Sequence, residues 1–379
     1  MQKFCNFSPI HSVIYKKGEK NSLGGLHFIF RLYINYKRND MTSSSRTVRR
    51  TLYIQRPGVK LGITAGRWEI KFKDQLLEQI PASLISQICI MENVQVTSAA
   101  MVWSAENGIP MHVLSKHGKN ISVSYNSGGQ IVATRRRQYE LLEKPVRIEL
   151  AKAIVSAKIG NQTVFLAQTL RNHPEIQLDS STIPQLRALQ TKCKTATAIK
   201  PLLGIEGQAA KTYFSAWGQC ILNKEFTFPG RKKRPAPDPV NAMLNFGYSM
   251  LLTQVEGALQ VRGVDAAIGV VHNLRTGSSL ACDFIEQFRT GIVDSLVLKA
   301  VNWSQFCPDD FEVTDSECRL KDEPRKRFIQ LFEEKMQSER QHPLTKKPVS
   351  WKEILDIQAM QYKRFLYEKI DKFYPFRLS

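Results

Sequence analysis

The hydrophobic period changes once along this chain, near Arg135, and that change restricts the folds available to it. Before it lie short β-rich runs at Leu52–Gln55, Val59–Thr64, Trp68–Phe72, Ile85–Met91, Met111–Leu114, Ile121–Tyr125 and Gln130–Thr134. Gly66, His117-Gly118 and Asn126–Gly129 punctuate them as turns. One helix is expected among the strands, from Thr97 or Ser98 to a stop at Gly108. After Arg135 the apolar residues recur at helical spacing over Glu149–Leu170, Thr182–Ala198, Glu206–Leu222, Pro239–Arg262, Ser279–Lys299, Pro324–Glu339 and Trp351–Phe373. The expectation is an α+β chain: a small N-terminal β-rich domain, 51–135, followed by a larger all-α domain, 136–379. A length of 379 residues suffices for two such cores.

Charge narrows the function. Lys and Arg number 54 against 34 acids, a net charge of +20, which favours a polyanionic partner, nucleic acid above all. The seven cysteines are odd in number and form no C-x-x-C pair, so they read as reduced thiols and exclude a disulfide frame or zinc site. No apolar run approaches the ~20 residues of a membrane span. Residues 1–50 form a basic extension with Glu19 and Asp40 as its acids. Its apolar stretch, His27–Tyr36, is broken by Arg31 and lacks a signal-peptide cleavage site. Met41 would serve as an ordinary start; a true basic arm is the rival reading.

Three stretches carry chemistry. Gly263–Asp294 holds His272, a turn at Thr276-Gly277-Ser278, and then Asp283 and Glu286. Ser278 or Ser279 is expected to cap a helix on which both acids share a face, beside an apolar stripe of Leu280, Phe284 and Phe288. Two acids and an imidazole make a hard site suited to Mg²⁺ or Mn²⁺. The plainer reading is a solvated acid pair with Glu286 bonded to Arg289. The second stretch, GIEGQAAKTYF from Gly204, puts Glu206 among small residues at the expected start of a helix. The third, Phe228–Leu252, runs through a basic, proline-rich segment to Asp238-Pro239, an N-cap followed by Pro at the first helical position. The acids between Asn302 and Pro324 read as a solvated insertion.

The order G-x-E-G-x-A-A-x-x-Y-F, R-x-x-R-P-x-P-D-P-V-N with G-Y-S, G-V-V-H, and S-L-x-x-D-x-x-E-x-F-R resembles the CRISPR-associated spacer-acquisition integrase, the metal-dependent endonuclease of CRISPR adaptation. The resemblance spans about residues 50–379, down to a tail signature at Tyr374–Arg377. It implies one Mg²⁺ or Mn²⁺ held by Glu206, His272 and Glu286, with Asp283 as companion; which of the two later acids ligates is left open. It also implies insertion of short foreign DNA fragments into a CRISPR array by 3′-hydroxyl attack on a phosphodiester. The partners implied are double-stranded DNA (prespacer and repeat), a second copy of the chain through the β-rich domain, and a small ferredoxin-like subunit, in a prokaryotic cytoplasm. Phosphate-binding candidates are Arg231, Lys232, Lys233 and Arg234, with Lys211 and Arg289 nearer the metal. Tyr213 and Tyr248 either line the site or sit in the core. The rival functions are a metal-dependent nuclease for branched or repair intermediates and a non-catalytic basic scaffold.

Overall fold

The computed structural model describes residues 49–378 except 92, 116–119, 125–129, 234, 273–276 and 344–345. Residues 1–48 of the basic extension, Met41 among them, therefore lie outside the described residues, as does Arg234. The described part opens with β1 (Arg50–Ile54), β2 (Val59–Thr64), β3 (Arg67–Phe72), β4 (Gln75–Pro81), β5 (Ile85–Met91), β6 (Gln95–Val96), α1 (Ser98–Glu106), β7 (Met111–Leu114) and β8 (Asn120–Ser124). These strands build two four-stranded sheets, ordered β1-β5-β7-β8 and β4-β3-β2-β6. Alternate apolar residues, Leu52 and Ile54, Val59 and Leu61, Trp68 and Ile70, are buried, as period-two patterning requires.

From residue 130 the chain is mostly helical: α2 (Gln130–Glu143), α3 (Val146–Asn172), α4 (Thr182–Lys192), α5 (Ile199–Gln219), α6 (Pro239–Val261), α7 (Ser279–Ile285) and α8 (Ser295–Asn302). A small hairpin, β9 (Phe311–Val313) and β10 (Cys318–Leu320), precedes α9 (Asp322–Gln337). A second hairpin, β11 (Glu339–Gln341) and β12 (Pro348–Ser350), leads into α10 (Trp351–Leu366). The fold is α+β, a β-rich region followed by a helical one, as expected. The helical core runs through α3, α5, α6, α8, α9 and α10, with α6 buried along most of its length.

Four expectations are corrected. Gln130–Thr134 is the first turn of α2, not a strand: Ile131, Thr134, Gln138 and Leu141 are buried at helical spacing, and two polar residues in that stripe hide the period. β4 is absent from the sequence-based expectation, because most of its side chains are exposed; its ladder with β3 follows a turn in which Lys73 and Asp74 both adopt positive φ. Glu206 lies well inside α5, which starts at Ile199, so it gains little from that helix's N-terminal dipole. The expected helix Ser279–Lys299 is interrupted, with a π-helical turn at Thr290–Asp294 between α7 and α8.

A polar seam joins the first sheet to α6. Gln254 donates to Thr51 and Tyr53, Gln87 donates to the Thr253 carbonyl at 3.3 Å, and Asn120 donates to Glu256. Gly257 permits this approach, since a Cβ there would lie 2.7 Å from Gln87 Oε1.

Candidate active site

Four elements converge. Helix α3 supplies Lys158, α5 supplies Glu206, the loop before α7 supplies His272, and α7 with the turn after it supplies Asp283, Glu286 and Arg289. Lys158 is 7% exposed. Its ammonium bonds to Glu206 Oε1 and lies 2.6 Å from Glu286 Oε2, so one cation bridges the two carboxylates. Arg289 donates to the other oxygen of Glu286 at 2.8 Å. Burial alone would push the Glu286 carboxyl up; Arg289 and Lys158 outweigh it and hold the group well below the usual carboxylate range. The expected Glu286–Arg289 pair is present, but it is buried and not solvated. Both oxygens of Glu286 therefore face a cation, Oε2 the Lys158 ammonium and Oε1 the Arg289 guanidinium.

Asp283 and Glu286 do not share a role or a direction. Asp283 is fully buried and spends both oxygens locally. Oδ2 accepts the backbone N–H groups of Val270 and Val271 at 2.6 and 2.9 Å; Oδ1 accepts that of His272 at 3.2 Å and faces His272 Nδ1 at 2.6 Å. With Nδ1 given to Asp283, the imidazole has Nε2 for a ligand, the arrangement by which an outer carboxylate orients a metal-binding histidine. The Asp283 hydrogen bond pushes His272 up from its ordinary pKa against partial burial, and the charges of Glu206 and Glu286 add to the shift. Gly269 makes the loop possible: a Cβ there would lie 2.7 Å from the Ser279 side chain and 2.9 Å from the His272 carbonyl. Ser278 occupies the N-cap position of α7, but its side chain makes no cap bond.

The π-helical turn re-aims the chain beyond Glu286, as such turns do at functional sites. It carries Asp294 into the core, where Tyr213 donates to it at 2.8 Å and Tyr248 donates to its other oxygen. Arg289 stacks 4.0 Å from the Tyr248 ring centroid, so Tyr248 links the buried acid to the site. Arg231 reaches the same ring at 5.2 Å and donates to Asn241 and Asn245 at 2.9 and 2.7 Å. Asn241 in turn holds Asp238 and the Gly230 carbonyl, which ties the basic segment to the start of α6. Of the expected phosphate-binding residues, Lys232, Lys233 and Lys211 are exposed, whereas Arg231 is engaged with α6 and Arg289 with Glu286.

Sequence reasoning gives Lys158 no place at the site, and it misses Asn161 and Gln287. Asn161, one turn beyond Lys158, donates to the carbonyls of Gln287 and Phe376 and accepts the Leu378 N–H; Gln287 accepts the Phe376 N–H. The tail signature is thereby docked beside the site. The side chains present suit a hard divalent cation: two carboxylates face one shared cationic position, and the neighbouring imidazole is oriented by a third acid. Lys158 stands at that position here. Among the described residues no three His, Cys, Asp or Glu side chains are grouped to hold a metal.

An α+β frame bearing such a cluster fits the class of enzymes that act on phosphodiesters. The family model for the CRISPR associated protein Cas1 matches residues 52–334. The CRISPR-associated endonuclease Cas1 1 of Chlorobaculum tepidum is 32% identical over 307 residues, covering 79% of this chain and 89% of the relative. Among solved structures, a casposase bound to integration product superposes with a TM-score of 0.74 at 23% identity, over 86% of this chain and 92% of that one. A Cas6-RT-Cas1–Cas2 complex gives 0.72 at 22% identity, over 88% of this chain and 37% of that one. The chain belongs to the Cas1 family of CRISPR-associated proteins, whose curated relatives are named as endonucleases. Among the described residues no helix is long and apolar enough to cross a membrane.

Proposed function

We propose that this chain inserts short DNA fragments into a CRISPR array by strand transfer at a site formed by Glu206, Glu286 and His272, with Mg²⁺ or Mn²⁺ as cofactor. The observation that carries the reading is the pair of buried carboxylates sharing one cationic position, next to an imidazole whose Nδ1 is committed to Asp283. This favours Glu286 over Asp283 as the third ligand, because the Asp283 oxygens are already spent on three backbone N–H groups and the imidazole. A divalent ion held there would neutralise the charge that builds on the phosphodiester during attack. The protein's own part is positional. Asp283 fixes the imidazole, Arg289 is braced on Tyr248 and presents positive charge beside Glu286, and the surface at Gly204 and Gly207, next to Glu206, is open, since a Cβ at either would meet nothing within 4 Å.

In strand transfer the donor 3′-hydroxyl loses its proton as its oxygen bonds to phosphorus, the P–O3′ bond of the repeat breaks, and the departing oxygen takes up a proton, so the numbers of protons and phosphodiesters are unchanged. Lys232, Lys233 and Lys211 supply sequence-independent phosphate contacts. The division into a β-rich dimerisation region, 51–135, and a catalytic region, 136–379, belongs to the same reading. So do a Cas2-type partner, in line with the Cas1–Cas2 complex of similar fold, and a prokaryotic cytoplasmic setting. Joining of a 3′-hydroxyl donor into a supercoiled repeat plasmid, with and without the small partner subunit, tests it. Joining that needs Mg²⁺ or Mn²⁺ and vanishes in Glu206→Gln supports the proposal. Cleavage of branched DNA without joining would favour the repair nuclease instead.

A further inference from the structure

We infer that Lys158 is a tethered competitor for the metal: its ammonium holds Glu206 and Glu286 together until a divalent cation displaces it. The inference rests on the metal reading above and adds a regulatory residue to it. Lys158 is buried and contacts both carboxylates, the geometry of a cation shared by two ligands. A buried lysine is uncommon unless paired, and the pairing here is with the two proposed ligands themselves. Removing one member of a buried pair leaves an uncompensated charge, so the two glutamates need some cation at all times.

Charge balance explains why the exchange is possible. With Lys158 in place, two carboxylates face two cations, Lys158 and Arg289, and the cluster is balanced. A divalent ion takes over both carboxylates and leaves Lys158 without an anion beside the reacting centre. DNA phosphate is the anion available to it there. Lys158 is thus a positioning residue: it keeps the two ligands apart from other donors and, once displaced, gives the loaded site a reason to favour DNA. Wild-type protein without DNA must break two ion pairs to load metal, which weakens its metal affinity.

The test is Mn²⁺ titration of the full chain without DNA, by calorimetry and by thermal shift, for wild type, Lys158→Met and Lys158→Arg. Lys158→Met should unfold at lower temperature without metal, bind Mn²⁺ about tenfold tighter or more, on the scale of lost buried pairs, and gain more thermal stability from it. Lys158→Arg keeps the cation with a better fork for carboxylates, so it should fold normally and bind Mn²⁺ more weakly than wild type. If Lys158→Met fails to fold, the weakened binding of Lys158→Arg alone decides. Mn²⁺ affinity that is the same in wild type and in whichever variants fold would overturn the inference while leaving the metal site intact. Absence of Mn²⁺ binding in all three would overturn the metal reading itself, and this inference with it.

Discussion

Replacing Asp283 by Asn is the most informative single change, because it keeps the shape and alters only the hydrogen-bond inventory. The carboxylate accepts four donors, two on each oxygen. An amide has one oxygen, so in either orientation its NH₂ faces two N–H groups. If it faces Val270 and Val271, the loop before α7 loses its anchor. If it faces His272, the imidazole must present a bare Nδ1, which moves its proton to Nε2 and removes the lone pair a metal needs. Losing two charge-assisted bonds in a fully buried site costs about 3 kcal/mol, from roughly 1.5 kcal/mol for each. Metal affinity should fall about 10–100-fold, the range for an outer-shell partner of a ligating histidine. Denaturant unfolding of the metal-free variant and Mn²⁺ titration measure the two effects separately. An Asp283→Asn variant with wild-type Mn²⁺ affinity and stability would refute the assignment of Asp283 as the orienting acid.

Other outcomes follow from the same geometry. Mn²⁺ affinity should fall as pH falls, starting above the usual histidine range, because the raised His272 pKa lets protons compete earlier; a flat profile between pH 6 and 8, bracketing the ordinary value of about 6.5, would contradict this. For the metal-free protein the sign reverses: a histidine raised on folding adds stability that is fully present below its unfolded pKa and is lost as pH rises through the folded one. Gly269→Ala should disturb the His272 loop and lower strand transfer with a smaller effect on overall DNA binding, read by a gel-shift titration beside the joining assay. Lys232→Ala with Lys233→Ala should reduce the slope of log affinity against log salt by roughly 2, about 0.9 per phosphate contact, equally on unrelated DNA sequences. Asn161→Ala should release the tail at Phe376 and Leu378, detected as faster proteolysis or amide exchange of those residues.

Where local chemistry decides, the sequence is readable. β2 alternates and β5 is rich in isoleucine, and both fall where that pattern puts them. α6 begins at its Asp238 cap, whose side chain accepts the Asn241 N–H, and ends just before Gly263 at φ 71°. The strand at β4 is illegible because its neighbours, not its own pattern, hold it. α2 reads as a strand at its start because Thr134 and Gln138 occupy core positions that a hydrophobicity pattern cannot assign. At the site, spacing shows that Asp283 and Glu286 are special, but not that the helix ends between them and sends them to different partners. Lys158 carries no local signal at all: its partner Glu206 lies 48 positions away, and only the packing of α3 against α5 brings them together.

A crystal structure of the full chain soaked with Mn²⁺, read by anomalous scattering, tests the central claim most directly. The account predicts one strong Mn²⁺ peak contacted by Glu206, Glu286 and His272 Nε2, with Asp283 still on His272 Nδ1 and Lys158 moved off both carboxylates. A peak bound through Asp283, or one remote from Glu206 and Glu286 while Lys158 still bridges them, would contradict it.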